Sequence, residues 1–468
     1  MTGEPGNATV FVIPQPTVNG PLHIGHLSGP YLAGDIAARA AKARGERVLT
    51  LAGVDVHPNY VLTRAESIGT DADEMVARNT AQIEAVFDQA RIGHDMFVDP
   101  RDPGHQRAIT GMLTELVSSG IVPMEEYTLY QCSDCGRTLH HSYVVGKCPV
   151  CGTGSNGTSC EGCGGFTSAQ VLIDPSCARC GGSPQPLEVV LPVLRLEDYR
   201  DRLVTEWLHG EWPASTRAVL RQYDSAPLPV IPLAYPTNWG IEGEGPLAGL
   251  RVDFPTELGL VYCYAPARAV DPQARSLADY VRAWRQIDGI WHFNAKDNTF
   301  YFSVLYPAIL AMVGVPGPTA LGAVITELYL LEGSKFSTTR NHALWAHEFL
   351  AAQDHELVRL FLSWDRPDRY ETNFTHEAYQ AFCDYVRPLL DRAARGGSGA
   401  AATAQGALPP VLAAGEIERA EHALRPAQFD SALAVRCLIA ALAAGSGADS
   451  AALAALAGRE PPPPRLSR

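Results

Sequence analysis

Apolar positions along the chain change period several times, and each change marks an element. The run ATVFVIP (8 to 14) is short, nearly continuous and rich in β-branched residues, the pattern of a strand buried on both faces. After a Pro/Asn/Gly loop, GHLSGPYLAGDIAARAAKARG (25 to 45) reads as a helix that stops at Gly45. RVLTLAGVD (47 to 55) is a second strand. This β-loop-α-β opening predicts an α/β fold with a Rossmann-type, doubly wound parallel sheet, whose ligands gather at the carboxyl ends of the strands. Asp55 and His57 fall at such an end.

Residues 72 to 93 and 104 to 120 continue as amphipathic helices, and then Gly, Ser and Cys interrupt the pattern from 130 to 182. Alternation resumes with LGLVYCY (258 to 264), IWHFNAKDNTFYFSVLYPAILAMVG (290 to 314) and ALGAVITELYLLEGSKFS (320 to 337), which are expected to complete the sheet. The implied organisation is a catalytic domain in two halves (1–120 and 230–330), an insertion (121–229), a loop and helical region (331–395), a Gly/Ala/Pro linker (396–410) and a short Ala-rich helical tail (411–468).

Composition narrows the class. With 468 residues, 46% hydrophobic and 19% charged, the chain can bury a sizeable core. A net charge of -14 disfavours a protein that coats nucleic acid, and DNA is not an expected partner. No run reaches the length of a membrane span and the first residues have no basic n-region, so a cytoplasmic protein without a membrane partner is expected.

Eight of the eleven cysteines form four CxxC pairs: Cys132 and Cys135, Cys148 and Cys151, Cys160 and Cys163, Cys177 and Cys180. In a chain read as cytoplasmic this spacing indicates metal ligation rather than disulfides. Two pairs make one tetrahedral four-thiolate site, so two structural Zn2+ ions are expected, each folding a module that lacks a core of its own. The middle pairs are close enough to share one knuckle inside the outer pairs, although spacing alone also permits sequential pairing.

NGPLHIGH (19 to 26) places Asn19, Gly20, His23, Gly25 and His26 where the first strand hands over to its helix. Helix N-termini attract phosphate, glycines admit a nucleotide to the backbone, and two imidazoles can donate to phosphate oxygens, which suits ATP. A second candidate phosphate grip is EGSKFSTTRN (332 to 341), with Lys335 as its lysine.

These stretches resemble the class I aminoacyl-tRNA synthetases. PLHIGH matches their HIGH signature and KFSTT (335 to 339) sits where their KMSKS loop belongs. Within the class the chain resembles methionyl-tRNA synthetases, whose two-zinc variant has the nested cysteine pairing, and HFNAKD (292 to 297) resembles their HFIGKD segment. The resemblance implies the class I synthetase fold and a helical stem-contact region after the KMSKS-like loop. It also implies Mg2+-dependent attack of an amino-acid carboxylate on ATP, followed by acyl transfer. His23, His26, Lys335, Ser337 and Arg340 are the expected catalytic set; Asn19, Gly20, Gly25, His292 and Asp297 are expected to hold ATP, and Asp55 the substrate ammonium.

The sequence also departs from the resemblance. Thr338 replaces the second lysine of the signature loop. Aligning VYCYAPARA (261 to 269) with the family's YVWLDAPIGY-like stretch sets the side-chain pocket as Gln15, Thr17, Tyr262, Ala269, Asn298 and Phe302, a set poorly matched to a thioether. The 73 residues after Arg395 hold six acidic and six basic residues, no Trp or Tyr and one Phe, and are expected to be too short and too plain to read anticodon bases. The expectation is adenylation of an amino acid other than methionine and transfer to a small-molecule amine or carrier, as in specialised metabolism. Two alternatives are a ligase that reads only a tRNA acceptor stem and a catalytically weakened tRNA-binding or regulatory protein. WGIEGEGPLAGL (239 to 250), rich in Gly and acid, has no physical account at this level.

Overall fold

The computed structural model describes residues 6–224, 226–336, 342–395 and 409–460. Five parallel strands form the central sheet: β1 (Ala8–Val12), β2 (Val48–Gly53), β3 (Met96–Val98), β4 (Ile287–Ala295) and β5 (Ala320–Thr326). Their spatial order is β5-β4-β1-β2-β3. The chain winds outward from β1 through β2 to β3, then returns to the other side of β1 for β4 and β5. The reversal between β1 and β4 leaves a crevice at their carboxyl ends.

The helix after β1 has three parts. A turn at Ile24–His26 runs into a π-helical turn, Leu27–Tyr31, which contains Pro30, and α1 (Leu32–Ala43) follows. Pro30 lacks an N–H, and the wide turn leaves the Gly29 carbonyl free to accept from buried Arg366 Nε at 3.2 Å. Gly34 lets α1 lie on the sheet, because a Cβ there would come within 2.8 Å of Ile13.

LGLVYCY is not a strand. It lies inside α2 (Phe254–Val270), which Asp253 precedes in extended conformation and Pro255 opens in the first turn. An apolar run of this length fits a buried helix as well as a strand, and this helix is apolar nearly all round because it lies in the main core.

The insertion begins with antiparallel strands Met124–Cys132 and Pro184–Arg195, to which Val230–Pro232 adds a third. That last strand lies past the expected boundary at 229. Residues 196 to 223 belong to the catalytic core rather than to the insertion: Trp207 and Trp212 are buried there, and the Glu206 carboxylate accepts from the N–H groups of Thr319 and Ala320 at the start of β5.

The C-terminal segment, expected as a short Ala-rich helical tail, is helical and packs on the rest of the chain. Helix α3 (His355–Trp364) joins it to the core, and α4 (Pro410–Ala423), α5 (Ser431–Ala443) and α6 (Ala451–Ala457) share one hydrophobic cluster with α1 and α3. Fully buried Arg359 makes the joint. Its guanidinium pairs with Asp35 of α1 at 2.6 Å, donates to Leu456 and Ala455 carbonyls of α6 at 2.9 Å each, and to the Ala90 carbonyl at 2.7 Å. The expected linker, 396–410, lies almost wholly outside the described residues.

Asp35 keeps Arg39 at 3.0 Å without Arg359, but the Ala90, Ala455 and Leu456 carbonyls would be left buried without their donor, and losing these contacts costs about 3–5 kcal/mol. Arg359→Ala is therefore expected to lower unfolding free energy by that amount in a denaturant titration. Arg359→Lys should recover only part of the loss, because an ammonium lacks the guanidinium's planar fork.

Candidate active site

A cavity of about 750 Å³ opens at the crevice between β1 and β4. It is lined by residues from the loop after β1, the loop after β2, the first half of α2, the turn after β4 and the inner cysteine knuckle.

The loop after β1 brings His23 and His26 to its rim. Their rings stack at 3.7 Å, and Phe336 covers His23 at 4.4 Å. Gly25 makes this fold possible, since a Cβ there would stand 3.0 Å from the His23 ring. Burial lowers the pKa of His26 to about 4, and burial with the neighbouring His26 lowers that of His23 to about 2, so both imidazoles are neutral at pH 7. His26 Nδ1 accepts from the His23 backbone N–H at 3.2 Å, which places the ring proton on Nε2 as a donor.

Asp55 stands at the end of β2. It is 4% exposed, lines the cavity and accepts no side-chain or backbone hydrogen bond on its carboxylate among the described residues. Burial, with Glu257 and Asp253 nearby, raises its pKa well above the ordinary carboxylate range. A buried carboxylate in this state gains most from a cation brought by a ligand. Its backbone is fixed by pairing with the loop after β1, Asp55 N donating to the Pro16 carbonyl and Val18 N to the Asp55 carbonyl. WGIEGEGPLAGL now has a role: Trp239 Nε1 donates to the Val56 carbonyl at 3.0 Å and holds the loop that follows Asp55.

A chain of buried polar groups supports this wall. Glu257 of α2 meets His57 Nδ1 at 2.7 Å and His105 Nε2 at 2.8 Å, and the other ring nitrogen of His105 meets the Tyr264 hydroxyl at 2.7 Å. Burial alone would raise the Glu257 pKa, but His57 and His105 hold it at about 2.

Across the cavity, Asn294 sits near the end of β4 and Asp297 in the turn after it, and Lys335 Nζ pairs with Glu161 of the inner knuckle at 2.7 Å. That knuckle forms part of the wall through Asn156, Thr158 and Ser159. Its cysteines cluster as Cys148, Cys151, Cys160 and Cys163; Cys132, Cys135, Cys177 and Cys180 form the second group, so the pairing is nested. All four sulfurs of each group lie within 4.8 Å of one another. Cross-pair distances of 3.4 to 3.8 Å are close to the ~3.8 Å edge of a tetrahedral four-thiolate metal site.

Residues 10–385 match the family described as tRNA synthetases class I (M). The chain belongs to that family. The methionine–tRNA ligase of Thermococcus kodakarensis is 28% identical over 385 residues, covering 78% of this chain and 51% of the relative. That of Thermomicrobium roseum is 28% identical over 385 residues, covering 80% and 65%. The chain thus spans about half the length of the first relative and less than two thirds of the second. The Mycobacterium tuberculosis methionyl-tRNA synthetase in complex with methionyl-adenylate shares the fold, with a TM-score of 0.67 at 18% identity over 93% of this chain and 82% of that one.

Of the residues expected from sequence, this class I (M) synthetase brings Gln15, Thr17, Asn19, Gly20, His23, Gly25, His26, Asp55, Tyr262, Asp297, Asn298, Phe302 and Lys335 to one cavity. Ser337, Thr338, Thr339 and Arg340 lie outside the described residues. Two expectations are corrected. Ala269 is exposed in the last turn of α2, about 10 Å along the helix from Tyr262, and does not line the cavity. The α2 wall is instead Phe254, Leu258 and Tyr262, four residues apart on one face. His292 is buried behind the wall, stacked on Phe302 at 5.6 Å and edge-on to Tyr262 at 5.7 Å, and does not line the cavity. Sequence reasoning missed Phe254 and Leu258; the Asp-Phe-Pro start of α2 was the signal that could have found them.

No helix among the described residues is long and apolar enough to cross a membrane.

Glu257→Ala strands two buried histidines and is expected to cost about 3–5 kcal/mol, read from thermal melts. Because its folded pKa lies below the ordinary value of 4.5, the Glu257 contribution is complete above that pH and is lost as pH falls toward 2. The variant should therefore lack that part of the wild-type acid sensitivity in melts taken between pH 7 and pH 3.

Proposed function

We propose that this synthetase activates an amino acid other than methionine as its adenylate and passes the acyl group to a small-molecule amine or carrier. The observation that carries the first step is the unpartnered, buried Asp55 carboxylate in one cavity with the stacked His23 and His26. Asp55 takes the substrate ammonium, which holds the α-carboxylate toward the rim where nucleotide phosphate lies. An oxygen of that carboxylate attacks the α-phosphorus of ATP; a new P–O bond forms and the bond to the β-phosphate oxygen breaks, releasing pyrophosphate. Charge grows on the leaving group. His26 Nε2–H and Lys335 Nζ supply donors for it, with Mg2+ accompanying the phosphates. ATP competes with Glu161 for Lys335, and Asp297 serves the ribose.

Two features support a substrate other than methionine: Gln15, Thr17 and Asn298 add polar groups to the wall, and Phe254 and Tyr262 project from α2. Each misfit of about one methylene is worth about 1–3 kcal/mol, so several together displace the preference. For the acceptor, Phe429, the one aromatic residue after Arg395, packs edge-on to Phe293 and under Arg366, leaving no stacking platform among the described residues there. Transfer to a tRNA 3′ end is the second reading. It is favoured by the knuckle, whose Asn156, Thr158 and Ser159 wall the cavity where an acceptor strand could reach it.

Both four-cysteine groups hold structural zinc in this reading. Native mass spectrometry is expected to find two zinc ions per chain, and zero or one would contradict the assignment.

Amino-acid-dependent pyrophosphate exchange tests the chemistry. Exchange should occur with at least one standard amino acid better than with methionine, and Asp55→Ala should abolish it. His26→Ala should lower it about 10²- to 10³-fold. Since burial raises the Asp55 pKa above the ordinary carboxylate value, the amino-acid KM should fall as pH rises through that raised pKa, and the slope should be absent from whatever activity Asp55→Asn retains. No exchange with any amino acid would overturn the proposal. Hydroxylamine trapping reports the adenylate, and charging of total tRNA would favour the second reading.

A further inference from the structure

Gln15 follows β1, lines the cavity and is oriented from one side only. The Tyr262 hydroxyl donates to Gln15 Oε1 at 3.2 Å. Tyr262 is 3% exposed and wedged edge-on between Tyr306, at 5.0 Å and 82°, and His292, at 5.7 Å and 67°. Burial raises the pKa of its phenol, so it stays protonated and able to donate, and it is the carboxamide oxygen, not the nitrogen, that faces it. That choice leaves Gln15 Nε2 enclosed with no acceptor among the described residues.

Buried amide N–H groups are nearly always paired, and one left unpaired in a side chain that lines a cavity can take a ligand acceptor once the carboxamide turns toward the opening. Thioether sulfur accepts weakly and a hydrocarbon not at all, whereas a carbonyl or hydroxyl oxygen accepts well. Asn298 of the same cavity complements this donor. It spends an N–H on Asp297 Oδ1 at 3.2 Å, and its own carbonyl accepts from no side chain among the described residues. Gln15 and Asn298 thus contribute one donor and one acceptor to the wall. Charge speaks against a side-chain carboxylate: Lys335 is the one lysine or arginine among the described lining residues, and Glu161 pairs with it, while Asp55 and Asp297 already line the cavity.

We propose that the side chain activated here is neutral and carries a hydrogen-bonding oxygen, a carboxamide or a hydroxyl, received by Gln15 Nε2. Gln15 is then the residue that sets specificity. This rests on the reading that the cavity binds an amino acid through Asp55.

The test is pyrophosphate exchange over the full set of standard amino acids with wild type, Gln15→Leu and Gln15→Glu, each checked by thermal melt. Gln15→Glu keeps size and the contact to Tyr262 but exchanges the donor for an acceptor. Wild type should show its highest kcat/KM with asparagine, glutamine, serine or threonine. Both variants should lose on the order of 100-fold or more for that substrate, and Gln15→Leu should shift preference toward leucine or methionine. A wild-type preference for methionine or a hydrocarbon side chain, or a preferred substrate used equally well by both folded variants, would overturn the inference while leaving adenylation intact. No exchange with any amino acid would overturn the adenylation reading, and the inference with it.

Discussion

Two neighbouring parallel strands whose connections run in opposite directions leave a gap that neither connection covers. β1 and β4 are such a pair, and everything chemical in this protein is arranged around their shared edge. The loop after β1 brings the stacked histidines, the loop after β2 brings Asp55, and β4 with the turn after it brings Asn294 and Asp297. Each side chain is near the others because its strand ends there, and no single loop need be long. The walls are added by α2 on one side and by the inserted knuckle on the other.

Such a gap must be kept dry and rigid without being filled. The helices beneath it do this with buried charge. Arg359 ties α1 to α3 and α6 through Asp35, and Arg366 holds the carbonyl that the π-helical turn sets free while its guanidinium covers Phe429. Beside Asp55, Glu257 is held between two histidines, and the same carboxylate raises the cost of ionising Asp55.

Features with local causes were legible in the sequence. CxxC turns set their own geometry, so eight cysteines announced two clusters; a strand followed by a Gly-rich turn and helix placed His23 and His26 at the crevice; Asp55 fell at a strand terminus. Features decided by tertiary contact were not. LGLVYCY has no period that separates strand from buried helix, and the alignment of VYCYAPARA with the family's stretch put Ala269 on a wall that the helix builds from Phe254, Leu258 and Tyr262. HFNAKD gave no sign that its histidine points to the back layer. The Ala-rich C-terminal segment looked like a tail because small side chains carry little signal, yet Ala434, Ala441, Ala452 and Ala457 are buried where close helix packing needs small residues. Arg359 reads as a surface residue until its carbonyl partners, nearly a hundred positions away, are in place.

The central claim is that amino acid and nucleotide meet at the β1–β4 crevice with Asp55 holding the ammonium. A crystal structure with a sulfamoyl analogue of an aminoacyl-adenylate tests it most directly. The account predicts the ammonium within hydrogen-bonding distance of Asp55, the sulfamoyl group beside His26, and the ribose against Asp297. An ammonium placed away from Asp55, or adenosine bound outside this crevice, would contradict it.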